Sequence, residues 1–346
     1  MVKLFRRKTK SPEPKLPTLN PHALPGRNRR KLTVEDVYAA QQLIAPFIRQ
    51  TPVLAPPMTS MLRPLRHPGP VFFKLENLQV TGSFKARGAL ACVLGMDDSV
   101  EKTGVITASG GNHGIAVAYA AKRRGVEATI YVPESINSEK KRYMNEWGGK
   151  TIVAGPIFHN ALTTARAVAA EKNIPFIHTF ADRAVICGQG TVALEILRQL
   201  PEVDVLVVAI GGGGLIGGMA IAAHAINPKI RIIGVEPTGA ATLYESLRAG
   251  RIVKLPNVNT KAGTLSMSQT AKINFDLVRD HIEEVVLVTD EEMRDAARWL
   301  WFEMGVAAEY SGAATAAALL QNRIKLQPMD RVCAVVCGAG LDGVGG

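Results

Sequence analysis

Apolar runs and polar breaks alternate along this chain with two periods. Val34, Val37, Leu43, Ile44 and Phe47 make a stripe at helical spacing. Thr33 with Asp36 three residues later is a carboxylate variant of the capping box and starts that helix; Pro46 and Thr51-Pro52 close it. An apolar strand, Val71 to Leu75, runs on toward a Thr-Gly-Ser turn at Thr81 to Ser83, and Ala86 to Leu94 then reads as a helix. From Gly104 short β-branched runs recur at Val105-Ile106, Thr129 to Val132, Thr151 to Val153 and Phe176-Ile177. Alanine-rich helical segments near 113–124, 138–147 and 158–171 lie between them. Beyond Phe180 the strands lengthen, at Val203 to Ile210, Ile230 to Val235, Val285 to Val288 and Val332 to Val336. Strand–helix alternation predicts an α/β fold, a parallel sheet with helices on both faces.

Val205 to Ile226 holds no formally charged residue and has the length of a membrane span. Gly211 to Gly214 would break such a helix at its centre, so the pattern predicts a buried strand, a glycine turn and a core helix, and no membrane span. The 346 residues suffice for one large or two medium domains. Apolar content of 47% and charged content of 21% are those of an ordinary globular chain. Cys92, Cys187, Cys333 and Cys337 are too few and too scattered for a disulfide framework, which predicts a reducing, cytoplasmic setting. They also lack the paired spacing of a zinc site, and no metal is expected. The net charge of +11 resembles a nucleic-acid signal, yet most of the excess lies before residue 32, where five prolines and no apolar periodicity predict a disordered basic tail over 1–31. No specific nucleic-acid partner is expected.

The chemistry concentrates in glycine-rich junctions. Lys85 sits where the turn meets the helix, beside Phe84 and between Gly82 and Gly88. A helix N-terminus and an apolar neighbour both disfavour the ammonium form, which is what a nucleophilic amine needs. Ser109-Gly110-Gly111-Asn112-His113-Gly114 follows a strand and opens a helix, so its small residues let backbone N–H groups face an anion. Gly211-Gly212-Gly213-Gly214-Leu215 does the same after the most apolar strand and suits a phosphate. No Lys-Ser/Thr follows, so it is not a P-loop. By letter, Gly212, Gly214 and Gly217 satisfy the dinucleotide fingerprint, and Glu236 ends the next strand where a ribose-binding acid would stand. A nicotinamide oxidoreductase is therefore one reading; Lys85 and its context, which dinucleotide enzymes do not need, tell against it. A binding protein with a basic tail on an idle scaffold is another.

The run Ser-Phe-Lys-Ala-Arg-Gly-Ala, Ser83 to Ala89, resembles the Schiff-base lysine motif of the fold-type II pyridoxal-phosphate (PLP) enzymes, the serine/threonine dehydratase and serine racemase group. The resemblance extends from about Leu32 nearly to the C-terminus. It implies two open, mainly parallel twisted sheets flanked by helices. The small domain, 104–180, is inserted into a large PLP-binding domain made of 32–103 and 181–346, with the cofactor between them. It implies a homodimer acting on an amino acid. Lys85 would hold PLP as a Schiff base, with Phe84 on the ring, Asn112 at the ring hydroxyl, and Gly211 to Gly214 with Leu215 around the phosphate. Ser109, Gly110, Asn112 and His113 would seat the substrate carboxylate. Cys337, in Val336-Cys337-Gly338, matches the residue facing the pyridine nitrogen, usually Ser or Thr. Because it is not a carboxylate, it favours β-elimination over chemistry needing a long-lived carbanion. Glu309, in Glu309-Tyr310-Ser311-Gly312-Ala313, matches a Glu-Pro-Ser-Gly-Ala motif and would lie near the site.

The implied reaction is dehydration and deamination of L-threonine or L-serine to a 2-keto acid and ammonia, with Lys85 as the base. Related racemases have a serine where this chain has Gly110, which favours a dehydratase. Two departures concern specificity and metal. Asn259-Thr260-Lys261-Ala262-Gly263 stands where the group commonly has Thr-x-Ala-Asp-Gly, so Ala262 replaces the acid. Glu236 matches a metal-binding glutamate of racemase-like members, but Thr242 stands where its partner aspartate is expected. Feedback through a C-terminal amino-acid sensor is not expected.

Overall fold

The two strands of the larger sheet that are buried at every position stand in its middle, where both faces are covered. The computed structural model describes residues 30–57 and 60–344. The predicted tail lies almost wholly outside the described residues. In chain order the strands are β1 (Val53–Leu54), β2 (Val71–Leu75), β3 (Val105–Ala108), β4 (Ala128–Val132), β5 (Gly149–Val153), β6 (Val205–Ala209), β7 (Arg231–Pro237), β8 (Glu284–Val288) and β9 (Val332–Val336). The helices are α1 (Val34–Ile44), α2 (Lys85–Leu94), α3 (Val100–Thr103), α4 (Asn112–Arg124), α5 (Ser138–Glu146), α6 (Phe158–Glu171), α7 (Arg183–Gln199), α8 (Gly214–Ile226), α9 (Thr242–Arg248), α10 (Lys272–His281), α11 (Asp290–Met304) and α12 (Tyr310–Leu320).

Strands β1-β2-β9-β6-β7-β8 form one sheet in that order, parallel except for the antiparallel edge strand β1. Strands β3-β4-β5 form a second, wholly parallel sheet. This is the α/β architecture of two open, mainly parallel sheets. Every residue of β6 and β9 is buried. Phe176-Ile177 does not extend into a strand: Phe176 makes a single parallel bridge to Ile106. Pro175 just before it has no N–H to continue a ladder. At α1, the Thr33 N–H donates to the Asp36 carboxylate at 3.0 Å, the backward half of the capping box. Arg30 pairs with the same carboxylate. The apolar stretch 205–226 is β6, a glycine turn and α8, and among the described residues no helix is long and apolar enough to cross a membrane. The four cysteines are buried free thiols.

Helix α7 fixes α2 against the rest of the core. A side chain at Gly188 would put its Cβ 2.5 Å from the Arg87 carbonyl, and one at Gly190 would put it 2.6 Å from the Gly218 carbonyl on α8. The helix backbones meet there because neither position has a Cβ. Four buried charges reinforce the contact. Arg87 on α2 forks onto Glu76 at 2.7 and 2.8 Å and onto Glu195 of α7 at 2.8 and 3.0 Å. Lys74 of β2 donates to Glu195 at 2.8 Å, to the Thr51 carbonyl at 2.8 Å and to Gln199 at 2.9 Å. The sequence pattern read β2 as apolar throughout; Lys74 is fully buried in it because all three ammonium protons have acceptors.

Removing one member of such a group strands a buried charge, at a cost of about 3–5 kcal/mol. Arg87→Leu is therefore expected to lower the calorimetric melting temperature by many degrees, whereas Arg142→Leu, which breaks only exposed pairs on α5, is expected to change it little.

Candidate active site

Ligands of open α/β sheets bind beyond the carboxyl ends of the strands. Here β2, β9 and β6 are neighbours, and their carboxyl ends lead to Lys85, Cys337 and the glycine run. After β2 the chain turns through two short 3-10 segments, in which Thr81 and Gly82 take positive φ values of 65° and 74°. Ser83 then bridges Gly338, and the Phe84 N–H donates to the Cys337 carbonyl at 3.2 Å. These bonds tie the start of α2, whose first residue is Lys85, to the end of β9. A small, partly open cavity lies against this junction. Phe84, Lys85, Asn112, Gly211 to Gly214, Leu215 and Cys337 line it.

The Lys85 amine donates to the Thr179 carbonyl at 3.2 Å and lies 4.8 Å from the centroid of its neighbour Phe84. No carboxylate is in hydrogen-bond contact with it among the described residues. Burial lowers its pKa from 10.5 to about 8, against the weaker pull of Cys337 and Glu309. Burial also pushes the Cys337 thiol up to about 12, so it stays neutral; its Sγ donates to the Ser311 carbonyl at 3.4 Å.

The glycine run has no room for side chains. A Cβ at Gly212 would lie 2.2 Å from the Phe180 ring, and Gly213 has φ 89°. Thr270 and Asn274 hold the Gly212 carbonyl at 3.1 and 2.8 Å. Among the described residues no carbonyl takes the N–H groups of Gly212, Gly213, Gly214 or Leu215. They form a free donor set at the N-terminus of α8, suited to a phosphate. Gly217 lies within α8 and packs on Leu277. Glu236 is fully buried and receives the N–H groups of Leu243 and Tyr244 at 2.9 and 2.8 Å; burial pushes its pKa up to about 8. It caps α9 and is not open to a ribose, which removes the support for a dinucleotide. Thr242 donates to the Met267 carbonyl, and no group of three or more metal-type side chains occurs among the described residues.

At the end of β3, the Ser109 hydroxyl accepts the Gly111 N–H at 3.2 Å. The N–H groups of Asn112 and His113 have no acceptor among the described residues. His113 is buried, with Nε2 3.1 Å from the Thr107 hydroxyl and Nδ1 without a partner. Burial, then Lys85 and His178, hold its pKa down to about 3, so the ring is neutral and its backbone is the useful part. Asn112 donates to Glu309 Oε1 at 2.8 Å. Glu309 precedes α12 without capping it by its side chain; its carboxylate is buried and also receives Thr264 at 2.9 Å and Lys140 at 3.4 Å. Ala262 is buried outside the lining, whereas Thr264 and Leu265 line the cavity. Thr179, Phe180, Thr264, Leu265 and Lys140 are site residues that no motif marked; they arrive from segments with no signal of their own.

The donor set fits pyridoxal 5'-phosphate. A phosphate would occupy the free N–H groups of the glycine run, Lys85 would reach the aldehyde carbon, and a neutral thiol would face the ring nitrogen. The sequence profile of the family described as pyridoxal-phosphate dependent enzyme matches residues 44–338. The chain belongs to this family. It is 35% identical to an L-threonine ammonia-lyase of Thermotoga maritima, over 90% of this chain and 76% of that one. It is 38% identical to a serine racemase of Oryza sativa subsp. indica, over 84% of this chain and 85% of that one. The solved structure of maize serine racemase superposes with a TM-score of 0.83 at 35% identity, covering 89% of this chain and 93% of that one. This PLP enzyme thus has the type II fold, and its relatives divide between threonine ammonia-lyases and serine racemases.

Two outcomes follow for the cofactor-free enzyme. Competitive acylation read by mass spectrometry against pH should give Lys85 a midpoint near 8, below the ordinary lysine value of 10.5. The folded-state value lies below the unfolded one, so fold stability should rise with pH between about 8 and 10.5 from this group. Gly212→Ala should abolish retention of PLP through dialysis, because the Phe180 ring occupies the space a methyl needs.

Proposed function

We propose that this enzyme removes the α-proton and the β-hydroxyl of L-threonine or L-serine, giving a 2-keto acid and ammonia. The observation that carries the reading is a cavity with one base. Among its described lining residues the titratable groups are Lys85 and Cys337 alone, and Cys337 is held neutral. Glu309 stands outside the lining with its oxygens engaged by Asn112, Thr264 and Lys140. Elimination needs one base; racemisation needs a second to return the proton to the other face.

When bound, PLP supplies an electron-withdrawing group that acidifies the α-carbon of the amino acid attached to it. The protein does the rest. Gly212 to Leu215 would hold the phosphate by backbone N–H groups, and Asn112, oriented by Glu309, would face the ring hydroxyl. Ser109 and the backbone of Asn112 and His113 would seat the substrate carboxylate. Lys85 Nζ, which burial makes easier to deprotonate, takes the α-proton. The β-hydroxyl leaves as water, taking up the proton that Lys85 Nζ removed from Cα, as the Cα–Cβ double bond forms. The released unsaturated amine tautomerises and hydrolyses in solvent to keto acid and ammonia.

Racemisation is the second reading, favoured by the rice and maize relatives. Against it stands Gly110, which has no group to carry a proton. A Cβ there would lie 3.5 Å from Pro133 Cδ, ordinary contact, so a serine side chain has room.

Keto acid and ammonia should form from L-threonine or L-serine far faster than any D-enantiomer, followed by coupled assay and chiral chromatography. Lys85→Ala should lower kcat by about 10²–10⁴. Gly110→Ser should raise racemisation relative to elimination. Wild-type enzyme that interconverts serine enantiomers faster than it makes keto acid would contradict the reading.

A further inference from the structure

The anion seat at the start of α4 has a cation hanging over it. Lys140 Nζ lies 3.9 Å from where a Cβ on Gly111 would be. The helix that carries it is fixed. Met144 of α5 is fully buried and packs over Gly114 of α4, where a Cβ would meet its methyl at 2.7 Å. Lys140 is one turn before Met144 and therefore shares its face, directed at the N-terminal end of α4. Asn137 caps α5 by accepting the N–H groups of Glu139 and Lys140 at 2.9 and 3.2 Å. The backbone is held, and only the four-carbon stem is free to swing.

Lys140 is also loosely held. Its contact to Glu309 Oε2 is 3.4 Å, and its side chain is 35% exposed. Glu309 Oε1 meanwhile accepts the shorter bonds from Asn112 and Thr264. A long, part-exposed ion pair contributes little to stability. A carboxylate arriving at Gly111 would give Lys140 a second anion within the sweep of its stem, on top of backbone donors already aimed at it.

We propose that Lys140 is a specificity-determining residue. It pairs with Glu309 in the empty site and transfers to the α-carboxylate of the incoming amino acid, so the site rejects amines and amides that lack that group. This rests on the amino-acid reading above, and deepens it.

Calorimetric titration of the PLP-loaded enzyme with glycine and with glycinamide tests it, because neither probe has a β-leaving group. Wild-type enzyme should bind glycine and discriminate strongly against glycinamide. Lys140→Gln should weaken glycine by about 10–100-fold and leave glycinamide unchanged. Glu309→Gln, which removes the competing anion, should bind glycine more tightly than wild type. An unchanged melting temperature for Lys140→Gln is expected from its exposure and separates lost recognition from lost folding. A glycine Kd within twofold of wild type in Lys140→Gln overturns this assignment alone, as does an equal loss for both probes. Wild-type enzyme that binds neither glycine nor alanine overturns the amino-acid reading together with this assignment.

Discussion

Two lysines lie eleven positions apart in the chain, and the difference between their surroundings determines what the molecule can do. Lys74 is buried against Glu195, Gln199 and the Thr51 carbonyl, so its charge is matched and its role is to hold β2 to α7. Lys85 is buried with, among the described residues, a single carbonyl and no carboxylate in hydrogen-bond contact. The nearby acids are engaged elsewhere: Glu76 and Glu195 by Arg87 and Lys74, Glu309 by Asn112, Thr264 and Lys140. An amine denied an anion in a low-dielectric site gives up its proton more readily. The lowered pKa of Lys85 thus comes from its burial, against the weaker pull of Cys337 and Glu309.

The parallel topology assembles the rest. Because β2, β9 and β6 are adjacent and point the same way, Lys85, the neutral thiol of Cys337 and the glycine run meet without long loops. The second sheet adds the Ser109 to His113 turn at the end of β3 and, through α5, Lys140 beside it. Arg87 links the two kinds of role. It is two residues from Lys85 on the same helix, and its fork onto Glu76 and Glu195 fixes the turn on which the nucleophile sits. Few side chains touch the cavity directly; more of the molecule is concerned with where those few are held.

Much of this was legible in the sequence because it depends on local patterns. Strand–helix alternation follows from periodicity, and the flanks of Lys85 already placed it at a helix start. The glycine run between an apolar strand and an apolar helix announced a turn with open N–H groups. What was hidden depends on long-range partners. The role of Lys74 inside an apolar strand depends on acceptors from residues 51, 195 and 199. Glu309 could have been a surface acid; its partners are 45 to 197 positions away in the chain. Glu236 fitted two ligand roles by position until the amides of Leu243 and Tyr244 were seen to occupy it. Phe176-Ile177 had strand composition, but the proline before it leaves only a bridge.

The central claim is that the unmatched amine of Lys85 is the covalent anchor of the cofactor. Borohydride reduction of the PLP-loaded enzyme, followed by proteolysis and mass spectrometry, tests it most directly. The account predicts one pyridoxyl group per chain, on the peptide containing Lys85, and none on Lys74 or Lys140. A reduced protein with no such adduct, or one carrying it on another lysine, would contradict the account.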